Sequence, residues 1–217
     1  MLIARFEPFK RAVRRVVLIV LILLVARASA IPSFYPDNTG DGIIVFQVLR
    51  NENVIGTIEI HKRFRGDSII YTVDCDVEVK FIFKFNAVGK EKYIFKDGTL
   101  IYSSLYRTLN KSVKTNHRIL YDNGIYSLQT PEKISPLKLD YIKNNLMLLY
   151  LKEPLGVTSV FCDHKQQRVN VKALGAGVYK VDISNGKYNI FHYEKGKCIK
   201  VEAVSPLFSV TLIPMLS

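Results

Sequence analysis

Residues 71–79 read YTVDCDVEV, a stretch in which apolar and polar side chains alternate at every position. A period of two places the apolar side chains on one face of a β-strand and the polar side chains on the other. The same parity continues through Phe81, Phe83 and Phe85. The run from 69 to 87 is too long for one ordinary strand. We therefore predict a half-buried strand that bends, or that crosses between two parts of a curved sheet.

Turn signals recur on either side of this stretch. The dipeptides Asp-Gly at 97–98 and Asn-Gly at 123–124 and 185–186 tolerate the positive φ of tight hairpin turns. Runs rich in Val, Ile, Tyr and Phe lie at 92–96, 99–107, 112–121, 125–128, 179–183, 188–194 and 198–204. Their spacing predicts an all-β fold, an antiparallel sheet that is barrel-like or a strongly curved meander.

One segment departs from the period of two. Ser135 and Pro136 are typical of a helix start, and Pro154 would end the helix. Between them, apolar side chains recur at spacings of three and four, at Leu139, Ile142, Leu146 and Leu149. We therefore predict one short central helix. The alternative is that the block LMLLYL at 146–151 forms a buried strand.

The first thirty residues have the three parts of a secretory signal peptide. Six of their seven charged side chains are basic, and 16–25 is an unbroken apolar run. Ala28 and Ala30 then form an A-x-A site, which predicts a signal helix with cleavage before Ile31. The alternative is an uncleaved anchor. Ten helical residues, however, cover about 15 Å of a hydrocarbon core about 30 Å thick.

The charge balance changes once this segment is set apart. The 217 residues carry 31 Lys and Arg against 19 Asp and Glu, a net charge of +12. Residues 1–30 contribute +5 of it, so the predicted single β domain at 31–217 carries +7. Its basic side chains are spread among strands without a dense run, which argues against a nucleic-acid partner. Anionic molecules outside the cytoplasm, such as lipid head groups, fit better.

Several motifs of the second half resemble a family of exported bacterial proteins of unknown function that is common in Bacteroidota. They are LYLKEP at 149–154, GVYKV at 177–181, NGKYN at 185–189 and YEKGK at 193–197. NVIGT at 53–57 is similar to the opening strand pair of that family, whereas Leu151 stands where the family usually has Phe. The resemblance implies a barrel-like, exported antiparallel β domain, and it implies no activity.

Candidate chemistry is sparse. Cys162 and His164 form the one close Cys/His pair, but a metal site needs three or four ligands and the sequence offers no motif to complete it. No nucleophile, zinc or phosphate-binding motif occurs, so we predict no catalytic residue, no metal and no cofactor. Cys75 has the parity of a core residue. Cys162 and Cys198 could form a disulfide after export, which the sequence leaves open.

The run Tyr150 to Pro154 contains the most interesting single carboxylate, Glu153. As a functional group, Glu153 would sit beside a helix end at the mouth of a barrel. As a structural group, it would accept hydrogen bonds where the chain turns. We favour the structural role, because a lone carboxylate without a partner makes a poor acid/base site.

These observations favour an exported protein, periplasmic or extracellular, that is not an enzyme. We expect it to bind a lipid-like or hydrophobic anionic ligand in an apolar interior, and to contact membrane only during export or peripherally. An alternative is a structural or interaction module that assists envelope assembly through an exposed edge or patch. An integral outer-membrane β-barrel is a further alternative, although polar side chains on both strand parities fit it poorly.

Overall fold

The computed structural model describes residues 40–80, 84–206 and 208–215. The predicted signal helix and the cleavage site at Ala28, Ala30 and Ile31 lie outside these residues. The described chain is almost entirely β-structure. Its strands are β1 (Gly42–Arg50), β2 (Asn53–Arg65), β3 (Ser68–Lys80), β4 (Lys84–Lys96), β5 (Thr99–Leu109), β6 (Ser112–Asp122), β7 (Ile125–Gln129), β8 (Ile134–Leu137), β9 (Ser159–Cys162), β10 (Gln167–Gly175), β11 (Val178–Ser184), β12 (Lys187–Glu194), β13 (Lys197–Val204) and β14 (Ser209–Pro214).

The strands form one antiparallel sheet with a simple order. Consecutive strands pair from β1 to β8 and from β9 to β14, and β1 also pairs with β14. The ends of the sheet are therefore β8 and β9, which do not pair with each other in the described part of the chain. The prediction of an all-β antiparallel meander is confirmed, and the sheet is not closed by hydrogen bonds.

Two of the predicted hairpin turns have the expected left-handed backbone. Asp97 and Gly98 have φ values of 48° and 71°, and Asn123 and Gly124 have values of 47° and 84°. Both central residues of a type I′ turn need this left-handed conformation, which Asn, Asp and Gly tolerate best. The prediction of one long bent strand over 69–87 is wrong, because the described residues of this run belong to two antiparallel strands, β3 and β4, with Val79 opposite Phe85.

The prediction of a helix between Ser135 and Pro154 is also wrong in its extent. Residues 134–137 form strand β8, where Pro136 is tolerated because β8 is an edge strand that needs few donors. The helical part is a 3-10 helix of five residues, Leu146–Tyr150. Asn145 caps it, because its Oδ1 accepts a hydrogen bond from the Leu148 N–H at 3.3 Å. The predicted spacing of leucines thus marks a buried connection and not a long helix.

The connection between β8 and β9 packs against the inner face of the sheet. The Leu100 N–H donates to the Ile142 carbonyl at 2.8 Å, and the buried Tyr126 hydroxyl accepts from the Ile142 N–H and donates to the Leu100 carbonyl. Met147, Leu148 and Leu149 are buried in the same apolar cluster as the inward side chains of the strands. Across the described ranges, no helical segment has the length and apolar character needed to span a bilayer.

Candidate functional site

A cavity of about 340 Å³ lies between the inner face of the sheet and the 3-10 helix. Its apolar wall is formed mainly by Ile58, Ile60, Val73, Leu105, Leu146 and Met147. Its polar wall is formed by Glu91, Tyr93, Arg107, Asp163 and His164. Pockets of this volume with an apolar lining and a few polar groups are typical of small-molecule sites. The cavity is therefore the candidate functional site.

Strand register explains why charged side chains face inward here. On β4, Glu91 and Tyr93 share the parity of the buried Phe95, and on β5, Arg107 shares the parity of the buried Leu105. Glu91 lies directly opposite Leu105 in the ladder between the two strands. Because side chains on a strand alternate between faces, this register commits both charges to the interior of the sheet.

Glu91 and Arg107 form the central ion pair of the cavity. The Arg107 Nε donates to Glu91 Oε1 at 2.8 Å, and its Nη2 donates to the same oxygen. The Tyr93 hydroxyl donates to the other oxygen, Oε2. The Glu91 side chain is 12% exposed and that of Arg107 is 42% exposed, so the pair extends from the wall towards solvent. The charge of Arg107 is thus already matched by a carboxylate.

Asp163 reaches the cavity from the tight turn that joins β9 to β10. The residue is 3% exposed, and the Asn145 side chain donates to its Oδ2 at 3.2 Å. Its Oδ1 is buried and has no hydrogen-bond partner among the described residues. Burial raises the pKa of Asp163 to about 7, and the charge of Glu91 acts in the same direction. A carboxyl in this state can change its charge near neutral pH.

Two histidines stand near this carboxyl. His117, on β6, is 6% exposed and its Nε2 has no partner in the described structure. His164 follows Asp163, is exposed, and its Nδ1 lies 3.4 Å from the hydroxyl of the buried Thr115. Burial lowers the pKa of both histidines, and the charge of Arg107 adds to this effect. Both rings are therefore neutral at pH 7 and above.

The arrangement limits the chemistry of the site. Within the described residues, no group of three or more His, Cys, Asp or Glu side chains is placed to hold a metal ion. Arg107 is the one Lys or Arg among the described lining residues, and Glu91 pairs with it. Burial raises the pKa of the Cys75 thiol to about 11, which keeps it from being a nucleophilic thiolate. The site is suited to hold a molecule by packing and hydrogen bonds.

Of the motif residues singled out at 150–154, Tyr150 lines the cavity, whereas Glu153 and Pro154 do not. Tyr150 lines the cavity, and its ring packs edge-on against Phe46 and Phe191 at 5.6 and 5.3 Å. Glu153 accepts a hydrogen bond from the Tyr179 hydroxyl at 2.8 Å, and its N–H donates to the Gly196 carbonyl. Pro154 is buried. Glu153 thus has the contacts of a structural carboxylate that fixes a turn of the chain.

The two cysteines that the sequence allowed to pair do not form a disulfide in the structure. Cys162 and Cys198 are both buried and both free thiols in the structure. Cys162 ends β9, whereas Cys198 lies on β13 and its Sγ contacts the Lys200 carbonyl at 3.8 Å. Burial raises the pKa of both thiols. The structure thus contains two inert core thiols at these positions, and Cys162 also lines the cavity.

The residues predicted from sequence motifs do not include Glu91, Arg107, His117 and Asp163. A signal for three of them was present, because each has the inward parity of its strand among apolar neighbours. A charged side chain at such a position needs a partner, which predicts a buried polar cluster. Asp163 carried no such signal. Its burial depends on tertiary structure, which brings the Asn145 side chain within 3.2 Å of its Oδ2.

One family model matches most of the chain. The model of a family described as a domain of unknown function, DUF6134, matches residues 46–215. The chain belongs to this family. The expected resemblance to a family of unknown function is confirmed in that respect. The DUF6134 match spans every strand from β2 to β13 and therefore includes all the residues that line the cavity.

Other comparisons add little to the DUF6134 assignment. No curated protein matches the chain. A crystal structure of a beta-barrel-like protein of a domain of unknown function, DUF1849, from Brucella abortus is similar, with a TM-score of 0.49 and 10% sequence identity. The similarity covers 81% of this chain and 95% of that chain.

Proposed function

We propose that this protein is a non-enzymatic binding protein of the cell envelope, which holds a small, lipid-like hydrophobic molecule in the cavity beside its 3-10 helix. The observation that carries the proposal is the cavity of about 340 Å³ with a mainly apolar wall. The signal-like pattern of residues 1–30 supports a location outside the cytoplasm.

The placement of the cavity supports this function over simple packing. The apolar cluster around it is continuous, with Ile60, Leu105 and Leu148 each at most 2% exposed. Protein interiors are otherwise close-packed, and apolar cavities are costly to leave in a core. Burial of an apolar ligand contributes roughly 25 cal/mol for each Å² removed from water. A hydrophobic molecule of matching size would therefore bind there favourably.

The alternative, an interaction module, would use an exposed edge strand or an apolar patch, and the structure allows the two edge strands to be assessed. The edge strand β8 is four residues long and includes Pro136, which has no N–H to donate to an added strand. At the other end, the Phe161 N–H of β9 already donates to the Asn144 carbonyl. Both edges are poor templates for strand addition, so the cavity is the better supported site.

The test is binding of the neutral hydrophobic dye N-phenyl-1-naphthylamine, followed by its fluorescence. We expect saturable binding of one dye molecule to each chain. Cys75 lines the cavity and is half-buried, so Cys75→Phe places a ring in the free volume and should weaken binding at least about tenfold. Val113→Phe is the matched control, because Val113 is 51% exposed and does not line the cavity.

The result distinguishes dye binding in the cavity from dye binding on the outer surface. Circular dichroism of Cys75→Phe establishes that the sheet is intact. Equal affinity in the wild type and in Cys75→Phe would show that the dye binds elsewhere, and it would overturn the proposal. Loss of binding in both variants would also count against it, because Val113 lies away from the cavity.

A further inference from the structure

The polar end of the cavity has an unusual charge arrangement. Its one cation, Arg107, is matched by Glu91, whose second oxygen accepts from Tyr93. Asp163 also lines the cavity, and its polar side-chain neighbours are neutral: Asn145 donates to its Oδ2, and the Ser103 hydroxyl also favours its charged form. The described lining therefore contains two carboxylates and one guanidinium.

One buried oxygen of the lining points in the same direction. Asp163 lines the cavity and is 3% exposed, and its Oδ1 has no hydrogen-bond partner within the described residues. A carboxylate oxygen accepts hydrogen bonds and cannot donate them. Buried polar atoms in native proteins are almost always paired, so this oxygen indicates a missing donor. An N–H group could supply that donor, whereas a carboxylate could not.

We propose that this end of the cavity receives the protonated amine of an amphipathic ligand, with Asp163 as its counter-ion. This inference rests on the proposed function, since it names the head group of the molecule whose apolar part fills the cavity. An anionic head group would have to approach Arg107 beside Glu91 and face Asp163 as well. Like charges in a buried site are strongly unfavourable.

The test compares three probes with the same eight-carbon chain, n-octylamine, 1-octanol and octanoate. Binding is measured by calorimetry at pH 8, where Asp163 is mostly ionised because its pKa is about 7. The alkylammonium group has a pKa near that of lysine, about 10.4, and stays charged. We expect n-octylamine to bind about tenfold tighter than 1-octanol, since hydrogen bonds to charged groups are the stronger ones. Octanoate should bind weakest.

Asp163→Asn removes the carboxylate and keeps the size of the side chain. In this variant, n-octylamine should lose its advantage and bind about as tightly as 1-octanol, whose own affinity should change little. Asp182→Asn is the matched control, because the Asp182 side chain is 58% exposed and removal of its charge leaves the cavity unchanged. The control should keep the full preference for the amine.

The three probes separate this inference from the function on which it rests. If 1-octanol binds but n-octylamine gains nothing, or if the amine preference survives in Asp163→Asn, the inference is overturned and the hydrophobic cavity stands. Tightest binding of octanoate would overturn it in the same way. Absence of binding for all three probes would overturn both the inference and the proposed function.

Discussion

The inner face of the sheet contains two interiors of different character. On β11 to β13, which we call the aromatic half, the inward side chains pack without polar groups left over. Phe191 and Val201 are fully buried, and Tyr179 and Tyr193 meet edge-on with ring centroids 5.6 Å apart. The Tyr193 hydroxyl donates to the Leu149 carbonyl at 2.6 Å. Among the described residues of this half, no buried side-chain polar atom lacks a partner.

On β3 to β6, which we call the cavity half, the interior is mixed. Glu91 and Arg107 face inward among apolar neighbours and line the cavity beside the 3-10 helix, and His117 on β6 is buried. The buried polar atoms without a partner belong to this half or to the connection and turn that pack on it, at Tyr71, Ser103, His117, Asn144 and Asp163.

The difference shows where the fold is optimised for packing and where it is not. In the aromatic half of the same sheet, each buried side-chain polar atom of the described residues has a partner, so the unpaired polar atoms of the cavity half are not a general feature of the architecture. Proteins depart from packing rules mostly at sites that serve another purpose. We therefore expect the aromatic half to contribute most of the stability, and the proposed binding function depends on the cavity half.

The largest expected effect comes from Phe191→Ala in the aromatic half. The ring is fully buried and contacts Tyr150 and Tyr193 at centroid distances of 5.3 and 6.4 Å. Removal of a buried Phe side chain typically costs about 3 to 5 kcal/mol, because the surroundings relax only in part. Urea unfolding monitored by circular dichroism measures the loss.

Phe208→Ala is the control for this prediction. Phe208 is 48% exposed, so its truncation should cost about 1 kcal/mol or less. A loss in Phe191→Ala no larger than in Phe208→Ala would mean that the aromatic half is loosely packed. The distinction between the two interiors would then fail.

A smaller effect is expected from Asp163→Asn, and it depends on pH. The folded protein has an Asp163 pKa of about 7, against an ordinary Asp pKa of 3.8 in the unfolded chain. Between these values the folded state binds the proton more tightly, so this residue contributes stability at low pH that is lost as the pH rises through 7. The variant has no such loss. Its stability relative to wild type should therefore increase by roughly 2 to 3 kcal/mol between pH 5 and pH 8.

The difference in stability between variant and wild type reports mainly on Asp163. Glu91 on β4 and His117 on β6 are its ionisable neighbours and are present in both proteins, and Asn145 is neutral. Urea unfolding at several pH values gives the difference directly. Asp182→Asn, at an exposed site, should show no comparable trend. A flat difference for Asp163→Asn would mean that the carboxyl is solvated and that the cavity half is wetter than its burial indicates.

Much of the fold could be predicted from local patterns. The alternation in 71–79 gave β3, and the Asp-Gly and Asn-Gly pairs gave the hairpins, because strand parity and left-handed turn residues act over a few positions. The turn at Asn110 and Lys111 was not predicted, because it adopts the same positive φ without a glycine. Its support is tertiary, because Asn110 Oδ1 accepts from the Asn86 N–H on the neighbouring strand.

The site could be predicted only in part. Tyr150 was singled out for a motif, but its place against the cavity depends on the contact with Phe46 from the far end of the chain. Glu91 and Arg107 are sixteen residues apart and meet only because β4 and β5 are neighbours in register. Leucines at helical spacing misled the prediction for 135–149, since a buried connection needs the same apolar side chains as an amphipathic helix.

The smallest effect is expected from Gly89→Ala, which tests whether the cavity half has free volume. Gly89 lies in β4 and lines the cavity, and a Cβ added there would be 3.4 Å from the Cys75 Cβ and 3.7 Å from the Arg107 Cγ. These are tolerable contacts, and glycine within a strand is unfavourable by roughly 0.5 to 1 kcal/mol relative to alanine. Gly89→Ala should therefore change stability by less than about 1 kcal/mol, in the stabilising direction, while it slightly weakens binding of the dye.

Gly177→Ala, beside the aromatic half, is a substitution for which the structure has no room. Gly177 has a φ of 69°, and an added Cβ would lie 2.5 Å from the Tyr193 carbonyl oxygen. That distance is too short, and backbone cannot give way as a flexible side chain does, so this variant should lose stability clearly in urea unfolding. If Gly89→Ala were destabilised as much as Gly177→Ala, the two interiors would be equally tight. The free volume in the cavity half would then be too rigidly bounded to admit a ligand.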